Sequence, residues 1–282
     1  MTFSQPSADL FIPDAAPTPA ALSRTTHLAV GAHQDDLEFM ALHGILECYQ
    51  RSDQWFTGVT VTDGRGSSRI LEYAQYTDDQ IQAVRHHEQR KAAFVGEYAA
   101  MFQLGFPSSF VKTPRPAAVL SDLKQIFALT HPRVVYTHNL ADKHDTHIGV
   151  VMAVIEALRE MPPQTHPEKV YGCEVWRNLD WMVDEDKVLL DASRRENVST
   201  ALVGIFDSQI SGGKRYDLAT VGRKRANATY LASHHSDQAR LLEYAMDLTP
   251  LIRNTQLDPV AFVEKHLDRF VTDVTERLKK RL

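Results

Sequence analysis

Cysteine is scarce in this sequence, which has only Cys48 and Cys173 among its 282 residues. The first lies in a helix-like pattern and the second in a strand-like pattern, so we expect no disulfide framework, and a reducing compartment fits this usage. No apolar run approaches the ~18 residues that a membrane-spanning helix needs. The first residues also lack the basic start and apolar core of a secretory signal. We therefore expect a cytoplasmic protein without a membrane span.

An excess of basic residues is also lacking, because 31 Lys and Arg stand against 36 Asp and Glu and give a formal net charge of −5. Nucleic acid is therefore not an expected partner. Hydrophobic residues make up 43% of the chain, an ordinary value for a globular protein. No internal repeat is visible. A chain of this length can form one large α/β domain, and we expect residues 25–282 to do so.

The two ends of the chain differ from the middle in composition. Residues 1–24 contain four of the 13 prolines, together with Ala, Ser and Thr, and such a composition buries little apolar surface. We expect a flexible arm there, which could be disordered or could pack along a neighbouring subunit. Residues 258–282 show apolar side chains at helical spacing, typical of a covering or interface helix. Both features are compatible with a homo-oligomer.

Strand-like and helix-like patterns alternate along the rest of the chain. Candidate strands are rich in β-branched or apolar residues and lie at residues 27–31, 56–62, 100–104, 134–137, 170–175 and 188–191. Candidate helices lie between them, at residues 36–50, 77–96, 117–129 and 146–160. This alternation predicts a Rossmann-like α/β fold, with a mainly parallel sheet and helices on both faces.

The densest polar motif follows the first candidate strand. His33, Asp35 and Asp36 occur within four positions, directly after the apolar run that ends at Gly31. If a helix begins here, His33 and Asp36 lie at i and i+3 on one side of its first turn, where both can contact one metal ion. Asp35 would then be free to accept a proton from a water molecule bound there. The competing interpretation is an acidic helix N-terminus.

A second polar cluster, at residues 138–147, follows a later candidate strand. Because the carboxyl ends of parallel strands lie side by side, the two motifs can meet in one crevice. His33, Asp36 and His147 could then form a three-ligand site of the kind that catalytic zinc uses.

The same cluster contains two further histidines. His144 could protonate a leaving group or stabilise an oxyanion. His138 is expected to have a supporting or structural role. A polar loop whose histidines only satisfy local hydrogen bonds is the competing interpretation of the cluster.

These motifs resemble the PIG-L/LmbE-like family of zinc-dependent N-acetylglucosaminyl deacetylases. The family hallmark, Ala-His-Pro-Asp-Asp followed by an acid, is similar to Ala-His-Gln-Asp-Asp-Leu-Glu at residues 32–38. The downstream His-x-Asp-His is similar to His-Asp-Thr-His at residues 144–147. Two positions depart from the pattern. Gln34 replaces the proline, which loosens the turn without removing a ligand, and Asp145 does not directly precede the last histidine.

The resemblance implies a role for each of these side chains. The implied roles are metal ligand for His33, Asp36 and His147, general base for Asp35, and transition-state stabiliser for His144. In the mechanism that we expect, Asp145 holds the His144 ring. Zinc is the implied metal, and another divalent ion such as Fe²⁺ could replace it.

Further similarity extends to about residue 210. Thr-Asp-Gly-Arg-Gly at residues 62–66 resembles a family loop whose arginine faces the substrate, which implies that role for Arg65, although a plain turn explains the glycines equally well. Arg-His-His-Glu at residues 85–88 resembles the Arg-x-x-Glu helix of the family, and Arg85 is likewise expected at the substrate. By their i, i+3 spacing alone, Arg85 and Glu88 indicate a surface ion pair.

Residues 201–209 resemble a family segment that ends in Ser-Gln, whereas residues 211–230 match no family motif. The basic residues of the latter segment could hold an anionic substrate group, but such runs are usually a solvated face. Trp176 could line a sugar site, although an aromatic residue is more often part of the core.

The function predicted from these features is metal-assisted amide hydrolysis. We expect removal of the acetyl group from a small molecule that contains N-acetylglucosamine, with release of acetate. Two alternatives remain: hydrolysis of another N-acyl or ester substrate at the same site, and a non-catalytic sugar- or nucleotide-binding module. The intact His33, Asp35, Asp36 and His147 argue against the second. The group attached to the amino sugar, such as inositol or malate, stays open.

Overall fold

One sheet runs through the computed structural model, which describes residues 2–282. Its strands are β1 (Asp9–Phe11), β2 (His27–Gly31), β3 (Phe56–Thr62), β4 (Ala100–Phe106), β5 (Val134–His138), β6 (Lys169–Cys173), β7 (Val188–Asp191) and β8 (Leu242–Asp247). Their order is β1-β4-β3-β2-β5-β6-β8-β7. Neighbours from β4 to β6 are parallel, whereas β1, β8 and β7 pair antiparallel. The predicted mainly parallel sheet is confirmed.

Helices cover both faces of this sheet. They are α1 (Thr18–Ser23), α2 (Asp36–Met40), α3 (Leu42–Cys48), α4 (Asp78–Val95), α5 (Ser108–Val111), α6 (Ala117–Thr130), α7 (Asp145–Arg159), α8 (Glu196–Gly204), α9 (Asp207–Ile210), α10 (Tyr216–Tyr230), α11 (Thr249–Arg253) and α12 (Pro259–Lys279). Side chains alternate along β2, so Leu28 and Val30 join one buried cluster and Ala29 joins the other. This two-sided burial explains why the parallel strands are apolar almost throughout.

Several predicted boundaries agree with the structure to the residue, including the strands at 27–31, 56–62 and 188–191. α4 begins at a capping box, in which the Thr77 side chain accepts from the Gln80 backbone and the Gln80 side chain accepts from the Thr77 backbone. The predicted helix at 36–50 is wrong as a single helix. Its backbone departs from helical geometry at Ala41, with φ −120° and ψ 24°, and this separates α2 from α3.

The sequence did not predict β8, although this strand lies between β6 and β7. Its residues include Leu, Glu, Ala and Met, which are good helix formers. Pairing on both edges supplies the hydrogen bonds and burial that override this local preference.

The N-terminal segment packs on its own chain. It is therefore neither a disordered arm nor one that packs along a neighbouring subunit, the two forms that the sequence suggested. β1 extends the sheet by pairing with β4. Phe3 contacts Phe102 edge-on with ring centroids 5.7 Å apart, and the Ser4 hydroxyl donates to Asp122 over 2.8 Å. The few apolar side chains of this segment therefore find a partner surface that composition alone does not reveal.

Among residues 2–282, none of the helices combines the length and the apolar composition needed to cross a membrane. α12 is amphipathic, as its spacing predicted, and buries Phe262 against the core.

Candidate metal and catalytic site

The two polar motifs meet at the carboxyl ends of β2 and β5, which are parallel neighbours. Asp36 is the first residue of α2, and His147 lies in the first turn of α7. His33 lies in the turn between β2 and α2. The segments that follow these adjacent strands thus bring His33 and Asp36, from one part of the sequence, together with His147, from another, in one crevice.

Three potential ligand atoms form a nearly equilateral triangle. The Nδ1 of His33 lies 3.3 Å from Oδ2 of Asp36 and 3.2 Å from Nε2 of His147. The edge between Asp36 Oδ2 and His147 Nε2 measures 3.5 Å. Tetrahedral zinc with bonds of about 2.0–2.1 Å requires ligand atoms about 3.3–3.4 Å apart. The side chains therefore match the spacing that a small divalent cation needs.

Hydrogen bonds around the triangle orient its members. The His33 backbone N–H donates to Asp36 Oδ2 over 2.7 Å. The Nδ1 of His147 lies 3.3 Å from Asp142 Oδ2, so a proton on Nδ1 leaves the Nε2 lone pair pointing toward the triangle. The sequence interpretation missed Asp142. Its signal was an acidic side chain within the same short His-rich segment.

Electrostatics favours deprotonated ligands. Burial lowers the pKa of His33 to about 4, despite the opposing effect of Asp36. Burial alone would raise the pKa of Asp36, but its histidine neighbours, His147, His138 and His33, hold it well below its usual range. Neutral imidazole and ionised carboxylate are the forms that bind a metal. The acceptor atoms of these side chains converge on one position, which a cation can occupy.

His138 lies close to the triangle but is differently engaged. Its Nε2 is 3.4 Å from Asp36 Oδ2 and accepts a hydrogen bond of 2.9 Å from the backbone N–H of Ala32. That bond occupies the lone pair that a metal would need. The His138 ring instead stacks on His147, with centroids 3.8 Å apart, which agrees with the supporting role expected from the sequence.

Asp35 lies beside the triangle in a strained backbone conformation, with φ 106° and ψ −29°. Only a few per cent of non-glycine residues have a positive φ, and they cluster where the surrounding structure holds them. Here the Asp35 N–H donates to the Gln89 side chain over 3.2 Å. Burial raises the pKa of the Asp35 carboxyl well above its usual range, against the effect of Arg85.

Arg85 and Glu88 are both buried, and the surface ion pair suggested by their spacing is wrong. The Arg85 guanidinium donates to the Gln34 carbonyl over 2.7 Å and lies 3.8 Å from Asp35 Oδ1. Glu88 instead accepts from the backbone and hydroxyl of Ser208 over 2.8 and 2.6 Å. These side chains face the crevice and α9 because α4 packs against the core along this face.

Gln34, which replaces the family proline, is buried in the turn before α2. Its side-chain amide donates to the Thr62 carbonyl over 3.1 Å. Gly64 approaches closely with φ +74°, and a Cβ there would lie 2.5 Å from Gln34 Oε1. The glutamine thus ties the turn to the loop after β3, although the ring constraint of proline is absent.

Two of the predicted site residues lie away from the crevice. Arg65 pairs with Asp79 over 2.7 Å and does not line the cavity. Asp145 is exposed, and within residues 2–282 it makes no hydrogen bond to His144. The His144 backbone N–H is instead fixed by Asp142 Oδ1 over 3.1 Å. Sequence adjacency to His144 was therefore a poor guide to its partner.

A cavity of about 560 Å³ opens above the triangle. His33, Asp35, Asp36, Arg85 and His144 contribute to its lining. Its wall includes Trp176 and Tyr216, whose rings meet edge-on with centroids 6.0 Å apart. Tyr216 was not predicted as a site residue, because its position depends on how α10 folds back over the sheet. The volume suits a small organic ligand.

Comparison with known proteins identifies a family model that part of this chain matches. Residues 28–158 match the family model described as PIG-L: GlcNAc-PI de-N-acetylase. Over these residues the chain matches the PIG-L/LmbE-like family. The matched PIG-L segment runs from β2 into α7 and contains all three triangle residues. None of the curated proteins matches this sequence.

Solved structures share the PIG-L/LmbE-like fold at low sequence identity. The N,N'-diacetylchitobiose deacetylase of Pyrococcus horikoshii aligns with a TM-score of 0.63 at 14% identity, over 82% of this chain and 86% of its own. The hydratase GalB of Pseudomonas putida, which acts on 4-carboxy-2-hydroxymuconate, gives 0.62 at 15% identity, over 79% and 96%. The conserved protein TT1542 of Thermus thermophilus gives 0.60 at 18%, over 83% and 99%. These likenesses establish the fold, and the proteins compared include both a deacetylase and a hydratase.

Proposed function

We propose that this protein is a metal-dependent deacetylase that removes the acetyl group from a small molecule containing N-acetylglucosamine. The observation that carries the proposal is the triangle of His33, Asp36 and His147 with the buried Asp35 beside it. Zinc is the metal that we expect, because two imidazoles and one carboxylate with an open fourth position are a common catalytic zinc set. The chemistry that zinc would supply there is Lewis-acid polarisation of the amide carbonyl.

Asp35 is the proposed general base. Its raised pKa brings the carboxyl closer to the working pH, where proton transfer is most effective. The backbone bond to Gln89 and the nearby Arg85 guanidinium hold the carboxylate in place. Arg85 is therefore proposed as a positioning residue that also lines the cavity.

His144 is the proposed stabiliser of the developing oxyanion. It is half-buried in the lining of the cavity, and its Nδ1 has no hydrogen-bond partner within residues 2–282. Burial and the neighbouring His147 lower its pKa, which favours the neutral ring. A neutral imidazole still donates one N–H to an oxyanion. The proton that Asp35 takes from the attacking water would then pass to the leaving amine as the C–N bond breaks.

The experiment that tests this proposal is acetate release from N-acetylglucosaminides carrying different attached groups, with zinc supplied. Asp35→Asn is the matched control, because asparagine tolerates a positive φ and preserves the shape of the side chain. We expect the variant to keep its metal and to lose about 10²- to 10⁴-fold in kcat. Undiminished turnover by Asp35→Asn would remove Asp35 from the mechanism.

The same panel separates the competing functions. Release of a longer acyl group or of an alcohol, without acetate, would favour the other hydrolase reactions. A fold shared with a hydratase means that the fold alone does not choose the reaction. A protein that binds zinc and sugar but turns over nothing in the panel would favour the binding module.

A further inference from the structure

A second cavity, of about 330 Å³, adjoins the one above the triangle. The two share part of their lining, namely Phe39, Val175, Trp176, Lys214 and Tyr216. A ligand whose acyl group reaches the triangle can therefore extend past the Trp176 and Tyr216 rings into this second space. In the proposed reaction, the second cavity would hold the part of the substrate that lies beyond the amino group.

One face of α10 forms a wall of the second cavity. Tyr216, Thr220 and Arg223 line it at i, i+4 and i+7, the spacing of a single helix face. At 1.5 Å per residue, Arg223 lies about 10 Å along the helix axis from Tyr216. The segment 211–230, for which the sequence offered no family motif, thus builds this wall.

Three cations at this cavity lack an acidic partner. Within residues 2–282, Lys143, Lys214 and Arg223 line it without a carboxylate within the 4.0 Å that defines an ion pair. The Arg223 guanidinium donates to the Val175 carbonyl through one nitrogen. Lys214 Nζ lies 4.8 Å from the centre of the Trp176 ring, between the two cavities.

The carboxylates at the same cavity already have partners. Glu243 forms an ion pair with the buried Lys224 over 3.0 Å. Glu174 accepts three hydrogen bonds of 2.6 to 3.2 Å, from the backbones of Leu179 and Tyr244 and from the Asn227 side chain. The remaining cation of the lining, Arg215, pairs with Asp217 over 2.7 Å. The hydrogen bonds to Glu174 come from neutral groups and leave its negative charge, which also attracts Arg223. Lys143, Lys214 and Arg223 outnumber this carboxylate, so the cavity lining keeps a net positive charge.

We propose that this second cavity is a subsite for an anionic group, a carboxylate or a phosphate, on the substrate's far side from the acetamide, with Arg223 and Lys214 as its ligands. The inference rests on the proposed deacetylation and narrows its substrate class to acidic N-acetylglucosaminides. Arg223 presents a planar fork that suits either anion, and Lys214 adds a mobile point charge.

The test compares three N-acetylglucosaminides that carry a neutral methyl group, a dicarboxylic acid or a phosphate monoester. Acetate release is measured with the zinc-loaded native protein, Arg223→Gln, Lys214→Gln and Arg225→Gln. Arg225 is the matched control, because it lies on the same helix, is exposed, and pairs with Glu196 over 3.7 Å away from the cavity. We expect the native protein and Arg225→Gln to prefer one anionic substrate by about 10- to 100-fold in kcat/KM.

Arg223→Gln should lose most of that preference through a higher KM for the anionic substrate, with little change for the neutral one. Lys214→Gln should lose part of it. Equal kcat/KM for all three substrates in the native protein would overturn the subsite and leave deacetylation standing. An equal loss on neutral and anionic substrates in Arg223→Gln would also overturn it, because that pattern indicates a structural role.

A binding measurement keeps the subsite testable without turnover. Succinate and phosphate are titrated into each variant, and the shift of the thermal unfolding midpoint is recorded. A shift in the native protein and in Arg225→Gln that Arg223→Gln loses would support the subsite even if no acetate were released, in which case the proposed reaction alone would fail. The same shift in all variants would exclude Arg223 as an anion ligand.

Discussion

Asp142 Oδ2 lies 3.3 Å from Nδ1 of His147, on the side of the ring opposite the Nε2 atom that approaches His33. This contact fixes which nitrogen of His147 faces the candidate metal position. A carboxylate behind a histidine ligand also raises the basicity of that ligand.

Asp142→Asn should weaken metal binding without abolishing it. The amide can still accept from His147, but it lacks the negative charge, and we expect zinc affinity to fall about 10- to 100-fold. Competition with a chelator of known affinity measures the change. Affinity equal to that of the native protein would show that Asp142 does not tune the site.

His138 and His147 should respond differently to the same substitution, although their rings stack. Glutamine at position 138 can still accept from the Ala32 backbone, so His138→Gln should retain bound zinc, whereas His147→Gln should lose at least about 100-fold in affinity. Metal content after gel filtration, together with circular dichroism as a check of folding, separates the two. Loss of zinc from His138→Gln alone would exchange their proposed roles.

His27, which lies away from the crevice at the start of β2, should make stability depend on pH. Burial lowers its pKa from 6.5 to about 4, so between these values the unfolded chain binds more protons than the folded one. The stability that neutral His27 provides is thus present above about pH 6.5 and is lost as the pH falls toward 4. The expected loss is about 3 kcal/mol.

Urea unfolding of the native protein and of His27→Gln, with metal removed from both, measures this contribution. The free energy of unfolding should fall more steeply between pH 7 and pH 4.5 in the native protein. Parallel pH profiles for the two proteins would assign the acid sensitivity to other groups.

Lys224 should be essential for stability because it is buried against Glu243 and also donates to the Phe39 carbonyl over 2.7 Å. Lys224→Met leaves the carboxylate buried without its partner, so we expect a loss of about 3–5 kcal/mol. Adding Glu243→Gln should restore part of that loss. Urea unfolding of both variants provides the test, and a loss below about 1 kcal/mol in Lys224→Met would mean that water reaches Glu243.

The sequence alone determined the parallel part of the sheet and the two motifs at its edge. Apolar runs such as residues 27–31 are short, continuous and followed by polar residues, and that pattern depends only on local burial. The sequence also predicted that the residues after β2 and β5 would meet, because neighbouring parallel strands have their carboxyl ends side by side.

Only the tertiary structure decided which polar side chains share the crevice. Asp142 rather than Asp145 contacts the histidines, and Arg85 is buried beside Asp35 rather than paired with Glu88 on the surface. Such partners depend on side-chain direction and on packing between distant segments, which spacing does not encode. For the same reason, the sequence alone did not predict strand β8 or the cavity wall that the Arg223 face of α10 forms.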